Sequence, residues 1–229
     1  MVSVTDDPLD NPVWAALEGV HADLAEGTGK GRRYPGDVSP FCGLADQSSP
    51  EAWADLADLA GPGAELLVPA LAVRPPAGFE VTSSLPGVQL VATGAFVSGT
   101  SPLVVELGQD DVPDMLDLTA RTQPGPFLPR TRLLGRYLGV REDGRLLAMA
   151  GERLRLGPAT EISAVCTDPS ARGRGLATTL VRAVAHGIRE RGETPFLHAA
   201  THNTGAVRLY ENLGFSLRRA VDFARVRTP

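Results

Sequence analysis

One stretch constrains this 229-residue chain more than any other: Val165-Cys166-Thr167-Asp168-Pro169-Ser170-Ala171-Arg172-Gly173-Arg174-Gly175-Leu176-Ala177. Glu161–Thr167 reads as a strand. Arg174–Arg189 carries Leu176, Leu180, Val184 and Ile188 at four-residue spacing, the apolar stripe of a helix packed on a sheet. A strand therefore runs through a glycine loop into an amphipathic helix. Glycines let backbone N–H groups converge on an anion without side chains in the way. The helix start adds unpaired donors and partial positive charge, and Arg172 and Arg174 add full charges. The chemistry is that of a pyrophosphate cradle. No Gly-Lys-Ser/Thr follows, and the spacing lacks Gly-x-Gly-x-x-Gly, so neither a Walker loop nor a dinucleotide fingerprint is present. Taken alone, the string also reads as a surface turn capping a helix.

The surrounding pattern predicts a complete α/β unit. Pro102–Leu107 reads as a strand, and Asp110 or Asp111 caps a helix to about Ala120 through Val112, Met115, Leu116 and Leu118. Gln123–Pro129 is a Pro/Gly-rich loop. Tyr137–Arg141 and Arg145–Arg155 flank Glu142-Asp143-Gly144, a hairpin signal. Pro195–Ala200 is a strand, a helix capped at Asn203 or Thr204 runs through Asn212 to Gly214 at its C′ position, and Ser216–Arg219 with Val221–Arg227 closes as one or two strands. The strands joined by the 174–189 helix should be parallel. Residues 1–99 form a separate N-terminal region. It has helices from Pro12 to Leu24 and after Ser49-Pro50, a loop over 27–50, strands at 65–73, 79–83 and 89–93, and no chemical motif.

Composition narrows the classes. Hydrophobic residues at 43% against 21% charged place the chain among globular proteins. A net charge of −5 argues against nucleic-acid binding through a broad basic face. No apolar run approaches the roughly 20 residues of a membrane span. Asp6, Asp7, Asp10 and Glu18 interrupt residues 1–20, so no signal peptide is read there and a cytoplasmic location is expected. Two cysteines, Cys42 and Cys166, make no disulfide framework.

A second string decides between the cradle and the bland turn. Asn203-Thr204-Gly205-Ala206-Val207-Arg208-Leu209-Tyr210-Glu211-Asn212-Leu213-Gly214-Phe215 places Tyr210 two turns into a helix, on a face shared with Asn203, Ala206 and Val207. With both strings in view, the sequence resembles the GNAT acetyltransferase superfamily. Arg172, Gly175 and Ala177 match its Gln/Arg-x-x-Gly-x-Gly/Ala acyl-CoA loop. Asn203, Ala206, Leu209, Tyr210, Gly214 and Phe215 match Asn-x-x-Ala-x-x-Leu-Tyr followed by Gly-Phe. Gly125-Pro126-Phe127, Ala148–Arg153 and Glu161–Thr167 look like the members whose catalytic domain is C-terminal. The resemblance covers about 100–227, and the domain is drawn at 100–229; residues 1–99 could be a degenerate GNAT-like half.

The resemblance implies a mixed, mostly antiparallel central sheet with a bulged parallel strand pair, and acetyl-CoA as cosubstrate without a metal. The coenzyme's arm would pair with the backbone at Val165, Cys166 and Thr167. Its diphosphate would sit on Arg172, Gly173, Arg174, Gly175, Leu176 and Ala177, with Asn203 near the arm. The reaction would be direct attack by a primary amine in a ternary complex, on a small-molecule or peptide acceptor, in a monomer or homodimer. The Val165 N–H would bind the oxyanion, Tyr210 would be the acid toward the thiolate, and Glu161 the base, with Glu152 as second candidate. The alternative is a non-catalytic acyl-CoA-binding or sensing module. Strand alternation turns the Cys166 side chain away from Val165 and Thr167 into the core. His198 and His202 span a strand and a turn with no third partner, so no metal site is read there.

Overall fold

The computed structural model describes residues 7–229; residues 1–6, the start of the N-terminal region, lie outside them. In chain order the elements are α1 (Pro12–Glu18), β1 (Gly31–Arg33), β2 (Cys42–Leu44), α2 (Pro50–Ala60), β3 (Glu65–Ala70), β4 (Glu80–Ala92), β5 (Val104–Leu107), α3 (Val112–Thr122), β6 (Tyr137–Glu142), β7 (Arg145–Arg155), β8 (Ala159–Thr167), α4 (Leu176–Glu190), β9 (Thr194–Ala200), α5 (Thr204–Leu213) and β10 (Phe215–Arg227). The chain divides into two compact units. One takes residues up to Pro35, Pro40–Pro86 and Val221–Pro229; the other takes Gly36–Ser39 and Gly87–Ala220.

In the first unit, α1 ends at Glu18, short of the predicted Leu24, because Gly19 folds its N–H back onto the carbonyls of Ala15 and Ala16. The predicted loop over 27–50 holds the antiparallel pair β1–β2. Ser49 caps α2, its side chain accepting from the Ala52 N–H. Trp53 and Leu56 on α2 are buried with Leu66 and Val68 of β3 and Ala224 and Val226 of β10. β3 pairs antiparallel with Asp222–Arg227, and this pairing groups the C-terminal segment with the first unit.

In the second unit six strands run in the order β4-β9-β8-β7-β6-β5. The pair β8–β9 is parallel and its neighbours are antiparallel, so the sheet is mixed and mostly antiparallel. The predicted strands at 79–83 and 89–93 are one strand, β4, which runs through Pro86-Gly87, and of the one or two strands expected over 216–227 there is one, β10. The fixed φ of proline suits extended backbone, so Pro-Gly does not oblige a turn there. At the β6–β7 hairpin, Asp143 and Gly144 both have positive φ, as a two-residue connection requires.

Alternation along the strands separates two cores. Ala148 and Ala150 of β7, Ile162 of β8 and Leu197 of β9 pack with Leu176, Leu180, Val184 and Ile188 of α4, and with Tyr210 and Leu213 of α5. The predicted α4 stripe is thus buried along its length, worth about 1.5–3 kcal/mol for each large side chain. Met149, Ala164 and Cys166 point to the opposite face, against Met115 and Leu118 of α3.

Candidate functional site

The parallel pair is short. β8 and β9 are partnered from Ala159↔Thr194 to Ile162↔Leu197. β9 stays paired on its other edge with β4 up to Ala200↔Gly87, and β8 stays paired with β7 up to Thr167↔Ala148. Beyond Ile162 the two strands have parted.

A bulge accompanies the parting. Ser163 faces Gly151 and Cys166 faces Met149, so Ala164 and Val165 together oppose the single Ala150. Ala164 takes φ +52, a conformation that costs a side-chain-bearing residue about 1–2 kcal/mol and is stored where a site uses it. Val165 and Thr167 are half-buried. Cys166 lies in the α3-side core, as alternation predicts, and burial pushes its thiol up to about 11 against the opposing bond from Thr122.

The loop that follows is anchored from below. Asp168 is buried; its carboxylate accepts from Arg121 of α3, from Arg145 of β7 at 2.9 Å and from the Ser170 N–H at 2.9 Å. Gly173 and Gly175 have φ +78 and +76, and a Cβ at either would meet open space. The first helical bond of α4 runs from the Thr179 N–H to the Gly175 carbonyl at 3.1 Å, so the N–H groups of Leu176, Ala177 and Thr178 have no partner within the helix. Arg174 is half-exposed and bonded to Glu142 at 3.0 Å; Arg172 is exposed. Donors, φ and open space together fit a diphosphate.

Tyr210 is buried on the α4 side, with the Phe215 ring edge-on at 6.1 Å. Burial, with the neighbouring Cys166, pushes its phenol up to about 12, so it stays protonated over any working pH. Asn203 caps α5: its side-chain oxygen accepts from the Ala206 N–H at 3.1 Å.

Glu161 is fully buried on the face opposite α4. Arg153 donates to both of its oxygens, at 2.8 and 2.5 Å, and His198 Nδ1 lies 2.7 Å from Oε1. Burial alone would raise its carboxyl, but the Arg153 charge and bonds, then His198, outweigh burial and hold it at about 2. With both oxygens engaged, Glu161 is a fixed anion; the geometry does not favour the proton-accepting role expected of it. Glu152 sits on the other face, bonded to Arg191 at 3.0 Å, away from Glu161. The row continues across the sheet. Gln89 Nε2 is 3.3 Å from His198 Nε2, and Arg218 donates to Gln89 Oε1 at 3.1 Å. Because Gln89 accepts from Arg218 through its oxygen, its amide N–H faces His198.

The sequence reading did not single out Arg153, His198 or Asp168 for this site. Arg153 had a signal: the short hairpin from β7 into β8 places it opposite Glu161, a cross-strand pair of opposite charge. Among the described residues no cluster of three or more His, Cys, Asp or Glu could hold a metal ion, and no helix is long and apolar enough to cross a membrane.

Comparison with known proteins fits this arrangement. The FR47-like protein family model matches residues 137–224, from β6 into β10. A solved structure of a GNAT-family protein from Novosphingobium aromaticivorans is 42% identical over 98% of this chain and 100% of that one, with a TM-score of 0.89. The chain belongs to the GNAT family. A mycothiol acetyltransferase from Thermomonospora curvata is 39% identical over 107 residues, 46% of this chain. That match spans 34% of the relative's own length. A GCN5-related N-acetyltransferase from Kribbella flavida shares the fold at TM-score 0.63 and 18% identity, over 95% of this chain and 94% of that one.

Proposed function

We propose that this GNAT chain is an acetyl-CoA-dependent N-acetyltransferase whose catalytic domain lies within residues 100–229, and that it acts on a primary amine by direct attack in a ternary complex. The observation that carries the reading is the parting of β8 and β9 after Ile162↔Leu197, with the Ala164 bulge on one side and the 172–177 loop at its end. Opened strand edges can take an extended ligand as an added strand, and the helix start beyond them suits its phosphates.

Acetyl-CoA supplies the acyl thioester. Backbone at Val165, Cys166 and Thr167 would hold its arm, and Arg172, Gly173, Arg174, Gly175, Leu176 and Ala177 its diphosphate, with Asn203 closing the far end. The Val165 N–H is assigned to the oxyanion that forms on attack. Tyr210, protonated before the attack, gives its proton to the leaving sulfur and is restored by the proton that the attacking nitrogen loses as the amide forms. Glu161 acts as a permanent anion that fixes His198 through Nδ1, in the way a buried carboxylate orients an imidazole, and it takes no proton itself.

The test is thiol release from acetyl-CoA in the presence of primary amines, with the acetylated amine identified by mass. Amine-dependent product is expected. Tight acetyl-CoA binding without product from any amine would favour a binding or sensing module instead.

A further inference from the structure

Tyr137, the first residue of β6, is 1% exposed, and its buried hydroxyl has no hydrogen-bond partner among the described residues. Leaving a polar group in that state costs about 1–3 kcal/mol, so the hydroxyl calls for a partner beyond the described residues. Its position supplies one. Tyr137 faces Gly151 on β7, and Gly151 faces Ser163 on β8, the residue before the bulge. The ring lies across Gly151, where any Cβ would collide with it, and the Phe127 ring meets it edge-on at 5.5 Å. It packs with Ala164 and Cys166. Burial raises its pKa well above the ordinary tyrosine range, while the charge of Arg153 opposes this and those of Glu161 and Glu152 add to it. The phenol ring is therefore clamped against β7, on the face of the Arg153–Glu161–His198 row, in register with Ser163 across Gly151. Ser163, on the same face two strands away, is half-buried, so the core that holds the phenol reaches the surface at the bulge.

We propose that the Tyr137 hydroxyl is the binding group for the acceptor amine, and that the site selects the uncharged form of that amine. A neutral hydroxyl accepts from an amine N–H and leaves the nitrogen lone pair for the thioester. A bare carboxylate in its place would hold the unreactive ammonium. Glu161 is no such bare carboxylate, because Arg153 already neutralises it. The proposal rests on the acetyltransferase reading above.

The experiment compares wild type with Tyr137→Phe in three measurements: the thermal melt, the acetyl-CoA Kd by calorimetry, and initial rates with ethanolamine, glucosamine and a peptide bearing a free α-amine. The variant is expected to melt at or above the wild-type temperature, since it loses a group that had no partner. Its acetyl-CoA Kd should stay within twofold of wild type. Its kcat/KM for the accepted amine should fall at least tenfold. Unchanged kcat/KM in the variant overturns the proposal alone, as does a lower melting temperature, which would place the hydroxyl's bond inside the fold. Wild type that acetylates no amine overturns the acetyltransferase reading, and this proposal with it.

Discussion

The loop at 172–177 and the row Arg153–Glu161–His198 belong to the same unit and are made of opposite materials. The loop is backbone: two glycines at positive φ, a helix start with unpaired N–H groups, and arginines open to water. The row is side chains: a fully buried carboxylate tied on both oxygens, reaching across three strands. The loop should therefore tolerate side-chain changes and fail when its φ values are disturbed. The row should behave the other way, failing when any one charge is left alone.

The largest effect expected is from Arg153→Met. It strands a buried carboxylate, which costs about 3–5 kcal/mol and would appear as a large shift in the urea midpoint. A loss below about 1 kcal/mol would mean that Glu161 reaches water, and the contrast would fail. The second effect concerns acid. Glu161 titrates at about 2 in the fold against a usual 4.5, so folding favours its ionised form. That stability is present in full above the usual value and is lost as pH falls from 4.5 toward 2. It amounts to roughly 3 kcal/mol. Melting curves from neutral pH down to this range should show the loss in wild type, and Glu161→Gln should lack this component.

These two regions also differ in how far the sequence discloses them. The loop is contiguous, and its chemistry is carried by glycine spacing and helix periodicity, so Arg172 to Ala177, the α4 stripe and the Asn203 cap could be placed from the chain alone. The bulge could be expected only through the family resemblance, since nothing in Ala164 itself announces a left-handed φ. The row was harder. Glu161 and His198 lie 37 positions apart and meet because a helical crossover sets β9 beside β8. A register between distant strands is not written in local spacing. Periodicity likewise misread β4 as broken, because turn-forming residues can also extend.

Catalysis sharpens the comparison at a smaller scale. Tyr210→Phe should slow turnover about 100-fold, with the acetyl-CoA Kd unchanged by calorimetry; equal turnover would remove the phenol from the acid role. Gly175→Ala has room for its methyl group but keeps a φ of +76. It should cost about 1–2 kcal/mol in the melt and weaken acetyl-CoA binding about tenfold, the energetic equivalent of 1.4 kcal/mol. Smallest of all is Glu142→Gln. It releases Arg174 from an exposed pair of the kind that contributes little, so the melting temperature should not move measurably.

The account depends on the opened β8–β9 pair and its loop being a coenzyme groove. Isothermal titration calorimetry of the wild-type protein with acetyl-CoA tests this directly. Saturable binding of one coenzyme per chain is expected, weakened in Gly175→Ala and retained in Tyr210→Phe. Absence of any heat of binding at millimolar acetyl-CoA would contradict it.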